Sequence, residues 1–224
     1  SKSGAAPLVN ITRATARTGS KGKGNKWSEY DFASWCAVWL LYLVEFADWD
    51  SQGQIGRGYV DGNSSAINSG GTDSMAYHTG RASGTDGKTA VQYRHIENPW
   101  GNVFEWIDGI NFSAGTVYVC TTPANYADDT ASNYTQIGTK AQSDGYIKSI
   151  GMATAAPWAF FPTAVGGSET TYIPDYACYS SGWRVLRVGG LWDYGGNAGL
   201  FYFYAGNASS YSYSYVGARL LFHP

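Results

Sequence analysis

The sequence predicts an α+β domain with few helices, short antiparallel strands and long ordered loops. Three observations predict it. One helical pattern, Phe32, Trp35/Cys36, Trp39, Leu43 and Phe46, stands near the N-terminus. Short runs of β-branched and aromatic residues, such as TVYVCT at 116–121, are scattered behind it. Gly-, Ser- and Asp-rich connections separate them, in a chain with 29 glycines. An early helix followed by many short strands is the α+β order. A chain of 224 residues suits one domain. A chain of that size buries roughly 70% of its unfolded surface, enough to fold without a metal or disulfide. An aromatic content of 16% and a net charge of −2 exclude intrinsic disorder.

Residues 1–26 read as a basic extended arm or linker. Lys2, Arg13, Arg17, Lys21, Lys23 and Lys26 face no acid there, which leaves −8 on the rest of a chain whose net charge is −2. Such an arm can hold nucleic acid. Here the charges are dispersed among Gly, Ala, Ser and Thr, so a solvated linker is expected and nucleic acid is not the main partner. The domain proper then runs over 27–224. Ser28 is the expected helix N-cap, with Glu29 and Asp31 in the first turn, where acids suit the helix dipole. Val38, Leu41 and Tyr42 lie off the apolar stripe, so the helix is expected to be buried nearly all round and to end within 47–50. Its 15 apolar-rich residues include Glu45 and fall short of the ~20 that span a bilayer, so no membrane insertion is expected.

Residues 51–90 read as loops with short strands, 55–60 being one candidate. Residues 91–106 contain a helix or turn. Residues 116–121 form a strand and 123–145 are loop. Short elements follow at 146–152 and 156–161, and late strands at 183–188, 200–204 and 216–222.

Signals for catalysis are weak. His78, His95 and His223 form no HExxH or HxH pair, although His95 stands near Glu97. No GxSxG elbow occurs. The glycines around Lys21 and Lys23 lack the GK[ST] ending of a phosphate loop. Asp48, Asp50, Asp61, Asp73, Asp128 and Asp129 lack the spacing of an EF-hand, so no metal site and no cofactor are expected. Cys36, Cys120 and Cys178 are three and widely spaced, which fits buried free thiols or one disulfide plus a free thiol.

The distinctive segment is 183–224, which holds six of the 18 tyrosines among Gly, Ala, Ser and Asn. That is the composition of a binding surface. In Tyr211-Ser-Tyr213-Ser-Tyr215, period-2 alternation puts the three rings on one face of an extended segment. Two orientations compete: Tyr in the core with Ser in water, or Tyr outward with Ser inward. Phe201 and Phe203 suit the core better than Tyr202 and Tyr204, which predicts an outward face for those two tyrosines as well.

Three blocks occur in order: GNVFEW at 101–106, RVGGLW at 187–192 and GARL at 217–220. They resemble the GNVWEW, RGGSW and GFRC blocks of the formylglycine-generating-enzyme branch of the C-type lectin fold. The C-terminal block is still more similar to the variable proteins of diversity-generating retroelements, and so are the 27–46 helix and the following SQGQIGRG. The likeness covers roughly 25–224. It implies a C-type lectin fold and a non-enzymatic protein whose C-terminal surface is rewritten by error-prone copying of template adenines. AAC codons becoming NNC never encode Lys, Glu, Gln, Met or Trp, and none of these occurs in 193–216.

The resemblance assigns the ligand-binding, variable positions to Leu191, Asp193, Tyr194, Tyr204, Gly206, Asn207, Tyr211, Tyr213 and Tyr215, with Gly195, Gly196, Ala205, Ala208 and Val216 as further candidates. The implied partner is a protein or glycan on a target cell, bound from a phage tail tip or a cell surface. The alternatives are an enzyme of the formylglycine-generating, sulfatase-modifying type, or a structural virion protein. Leu220 stands where that enzyme branch carries a cysteine, which argues against the first alternative. Neither EPN nor QPD is present, which argues against calcium-dependent sugar binding. Glu105 and Arg219 are expected to form a structural pair, because a buried charge needs a partner.

Overall fold

A computed structural model describes residues 2–62 and 64–224. Its elements in chain order are α1 (Arg13–Lys21), β1 (Trp27–Glu29), α2 (Phe32–Phe46), α3 (Ser51–Ile55), β2 (Thr79–Arg81), β3 (Val91–Tyr93), β4 (Ile96–Glu97), β5 (Phe104–Ser113), β6 (Thr116–Val119), β7 (Thr135–Thr139), β8 (Gly145–Ala153), β9 (Ala156–Val165), β10 (Ile173–Tyr179), β11 (Trp183–Gly189), β12 (Gly199–Asn207), β13 (Val216–Ala218) and β14 (Leu220–Phe222). The protein is thus mostly β-sheet with few helices. The main sheet runs β7-β6-β5-β11-β12-β10-β8-β9, with β13 added in parallel to β5. Its two edges curl toward each other: beyond β7, Ala141 N–H donates to the Pro162 carbonyl of β9 at 2.9 Å. The result is a nearly closed, barrel-like sheet.

Helix α2 covers one face of that sheet. Its N-cap is Asp31, whose carboxylate accepts from Ser34 N–H at 2.9 Å, and Ala47 ends it in the left-handed conformation. Ser28 is therefore not the cap. It lies in β1, which pairs with β14 in the register Trp27↔Phe222, a partner no local pattern announces. Phe32, Trp35, Cys36, Trp39 and Tyr42 are buried at helical spacing. Trp35 and Trp39 meet Phe203 and Phe201 of β12 at 6.0 and 4.8 Å between ring centroids, and Trp39 Nε1 donates to the Leu200 carbonyl at 2.8 Å. The expected all-round burial is not found. Leu40, Leu41 and Val44 point away from the sheet and are exposed, so α2 lies on the core rather than within it.

The N-terminal segment is not an extended arm. Thr12 caps α1 by accepting from Thr15 N–H, and the helix docks on β5. Arg13 is fully buried; it donates to Asp128 at 2.8 Å, to the Ile110 carbonyl at 2.6 Å and to Asn111 Oδ1. Arg17 forks onto Asp108 and reaches Asp128 at 2.6 Å. Charges that look solvated in sequence meet carboxylates roughly a hundred residues away. Val9 bridges Gly217, where an added Cβ would lie 2.6 Å from the Leu8 carbonyl, so only glycine admits the segment there.

Other local readings also change. Residues 51–55 are the short helix α3, capped by Asp50, so the strand expected at 55–60 reduces to an isolated bridge of Tyr59 with Gly101. Of the helix or turn expected within 91–106, the turn is present, closing the β3–β4 hairpin at 94–95, and β7 lies inside the expected 123–145 loop. The strands expected at 116–121, 183–188, 200–204 and 216–222 are present as β6, β11, β12 and the pair β13 and β14. All three cysteines are free; Cys36 and Cys120 are buried. Among the described residues no helix is long and apolar enough to cross a membrane.

The α1 contact carries a pH signature. Glu29 is fully buried beside this network, and neither carboxyl oxygen has a hydrogen-bond partner. Burial, reinforced by the charge of Asp108, pushes its pKa well above the ordinary value. A carboxyl raised in the folded state favours folding fully only below its unfolded pKa, about 4.3, and that contribution is lost as pH rises through the folded value. Glu29→Gln should therefore gain stability relative to wild type as pH climbs from 4.3 toward neutral. Denaturant midpoints measured across that range check this; parallel pH profiles for the two proteins would contradict it. Asp128 has the opposite sign. Its burial is outweighed by Arg13 and Arg17, its pKa is lowered, and its stabilising contribution disappears only in acid.

Candidate ligand-binding surface

Strand β12 is buried on both faces. Phe201 and Phe203 meet the α2 layer. Tyr202, on the opposite side, is fully buried in a second apolar cluster with Phe104, Trp106, Leu191, Trp192 and Val216. The outward orientation expected of Tyr202 is thus overturned. Tyr204 is half-buried at the rim of the same cluster.

Around that rim the structure gathers five of the nine predicted positions. Tyr194 stands edge-on to Phe104 at 5.1 Å. Tyr215 packs against Phe104 at 6.1 Å and against Tyr213 at 4.5 Å, and Tyr213 stacks on Tyr211 at 6.2 Å. Tyr211 and Tyr215 join their hydroxyls at 2.5 Å. Tyr213 is the most open of the group, 52% exposed. The 211–215 stretch is a loop with a turn, not a strand. Its three rings do lie side by side as the alternation predicts, but Tyr211 and Tyr215 are half-buried while Ser212 and Ser214 face water. The expectation of inward serines is therefore corrected. The loop lacks ladder partners, so each backbone contact matters. Tyr213 O accepts from Asn10 N–H at 3.0 Å and from Val216 N–H at 3.1 Å, and Tyr215 O accepts from Phe104 N–H at 2.9 Å. The N-terminal segment thus braces the most exposed tyrosine of the group directly.

The other predicted positions differ. Leu191 is 4% exposed and belongs to the second cluster, so it is a core residue and not a contact surface. Ala205 and Val216 are buried as well. Asp193 is exposed. Asn207 is partly exposed, although its Oδ1 is buried without a partner. Gly206 lies under the Tyr204 ring, where an added Cβ would come within 2.8 Å of it. Any larger residue at 206 must move Tyr204.

A residue the sequence reading missed sits at the base of the group. Arg187 of β11 is 3% exposed, with its guanidinium 3.8 Å from the Tyr204 ring centroid, 3.9 Å from Phe104, 5.4 Å from Tyr211 and 5.8 Å from Tyr215. Each desolvated contact of this kind is worth up to about 2 kcal/mol, so Arg187 ties four rings together. The signal in the sequence was only its place in the RVGGLW block.

Burial raises the pKa of Tyr194 and Tyr204, and burial together with the Tyr211 bond pushes Tyr215 up to about 12. These phenols stay neutral at physiological pH, so they offer ring faces and hydroxyl donors rather than charge. Glu105 and Arg219 pair as expected, at 2.5 and 3.0 Å, and Arg219 also donates to the Glu97 carbonyl at 2.7 Å. Their link joins β5 to the residue between β13 and β14, behind the tyrosine loop.

The residues considered for catalysis or metal binding are placed elsewhere. His78 and His95 stack at 3.5 Å, His223 bonds Ser28, and Glu97 accepts from Gly70 N–H and from the N–H and hydroxyl of Thr72 rather than from His95. Asp50 caps α3, Asp61 pairs with Arg57, and Asp129 accepts from Ser209. Burial pushes the Cys178 thiol up to about 11, beside Tyr202. No protein-family model matches the chain, and no curated protein matches it.

Proposed function

We propose that the protein is a non-enzymatic ligand-binding protein with a C-type lectin fold, of the kind encoded by diversity-generating retroelements. Its binding face is the tyrosine group at Tyr194, Tyr204, Tyr211, Tyr213 and Tyr215, with Asp193, Gly206 and Asn207 at its edge. The face would recognise a protein or glycan on a target cell, from a phage tail tip or a cell surface. The observation that carries this reading is the convergence of these rings, from three separate stretches of chain, on one partly open surface. The backbone at Tyr213 and Tyr215 is held by bonds to Asn10, Phe104 and Val216, and Tyr204 is fixed in β12, so side chains can change while the frame stays. Tyrosine supplies large amphipathic contact area with few rotors to freeze. The order of the GNVFEW, RVGGLW and GARL blocks, and Leu220 in place of a thiol, support the family and the absence of catalysis.

The test is the neighbouring DNA. A near-copy of the 183–224 coding segment, with Asn codons at the tyrosine positions and a reverse transcriptase gene beside it, is expected. A locus with neither would overturn the retroelement reading.

A further inference from the structure

Three guanidinium groups in this fold, that of the buried Arg13 and those of the partly buried Arg17 and Arg219, each meet a carboxylate at 2.5–2.6 Å. Arg187 is almost as buried as Arg13 and more buried than Arg17 or Arg219, yet it forms no ion pair among the described residues, and its Nε and Nη1 hydrogens find no acceptor. Rings cover it instead: Phe104 and Tyr204 form a corner around the guanidinium, and Tyr211 and Tyr215 close over it with their hydroxyls joined. The rings offset part of the cost of burying this cation, but they leave its Nε and Nη1 donors and its charge without the partner that an anion would supply. Here it lies directly beneath the face assigned to ligand binding.

We infer that Arg187 is an oxyanion-recognition residue of that face. A carboxylate or sulfate borne by the ligand enters between Tyr211 and Tyr215, separates their hydroxyls and accepts from the Arg187 guanidinium. Arginine suits this because its planar donors match oxyanions and it is weakly hydrated. The inference rests on the reading of the tyrosine group as a ligand surface. It adds that one fixed cation underlies the changeable side chains, so variants with smaller residues at 211 and 215 would present it more openly.

The experiment follows the Arg187 Nε–H resonance of ¹⁵N-labelled full-length protein during titration at constant ionic strength. The probes are N-acetylaspartate amide, glucuronate and sodium sulfate, with chloride as the reference. A saturable shift is expected, with a midpoint of about 1–50 mM, as befits one charge-assisted contact. The first two probes separate peptide from sugar carboxylates, and the third separates planar from tetrahedral anions. The double variant Tyr211→Phe, Tyr215→Phe keeps both rings but removes the hydroxyl latch, and should tighten binding about three- to tenfold by favouring the open state. Arg187→Lys should weaken it at least about tenfold, because the fork of donors is gone. If neither wild type nor the double Phe variant shows a saturable shift up to about 100 mM, the inference is overturned. That result leaves the surface reading standing if Tyr213→Ala still abolishes binding to target cells. Loss of the inference and loss of the surface reading are thus told apart.

Discussion

A protein truncated to begin at Trp27 should fail to fold cooperatively. The reason is the set of contacts made by Arg13 and Arg17, which bind Asp108, Asp128, Asn111 and two β5 carbonyls across the buried face of α1. Arg13→Ala alone takes this donor from Asn111 Oδ1 and the Ile107 and Ile110 carbonyls, and leaves Asp128 with Arg17 only. Breaking a buried charge network in this way costs about 3–5 kcal/mol. For a chain of this size that is roughly a 6–20 °C fall in melting temperature. Truncation removes both arginines and also the Asn10 N–H that holds the Tyr213 carbonyl, so the tyrosine loop should lose its frame along with the core. Thermal melts by circular dichroism of the truncated and Arg13→Ala proteins check this. A truncated protein that melts like the full chain would return residues 1–26 to the status of a linker.

The second large effect separates stability from binding. Tyr213→Ala removes an exposed ring that closes no core, so unfolding free energy should change by no more than about 0.5 kcal/mol. Binding to target cells should fall about 30-fold or more, the loss expected of a central aromatic anchor. Tyr202→Ala should do the reverse. Its ring is fully buried between Phe104 and Tyr194, and deletion of a large core aromatic costs about 3–5 kcal/mol. Tyr204 lies between these limits because it rests on Arg187. Paired denaturation and cell-binding curves for the two variants decide the matter. Equal destabilisation by both would make Tyr213 a core residue and remove the surface reading.

Much of this was legible in the sequence where contacts are local. The α2 stripe shows in the helical period, and the side-by-side arrangement of Tyr211, Tyr213 and Tyr215 shows in their alternation. The Glu105–Arg219 pair is the exception, since its partners lie 114 residues apart; it was legible through the GNVFEW and GARL blocks and the rule that buried charges find partners. What was not legible depends on partners far along the chain. Ser28 satisfies every local rule for an N-cap, yet the pairing of Trp27 with Phe222 makes it a strand residue and leaves Asp31 to cap α2. The basic residues of 1–26 carry no sign of Asp108 or Asp128. In β12 the choice between Phe and Tyr faces had no sequence solution, because that strand is central and both its faces are covered. A polar-tipped ring such as Tyr202 can end in either place. Arg187 was invisible for a related reason: nothing in its neighbours announces that four rings from elsewhere will close on it.

In the function proposed above, one surface changes while its frame stays fixed. Sequencing the 183–224 coding segment from many individuals carrying this locus tests it most directly. Substitutions should concentrate at Asp193, Tyr194, Tyr204, Gly206, Asn207, Tyr211, Tyr213 and Tyr215, and should spare Arg187, Phe201, Phe203, Glu105 and Arg219. Substitutions spread evenly over surface residues, with no excess at these positions, would contradict the claim and favour a structural role for the segment.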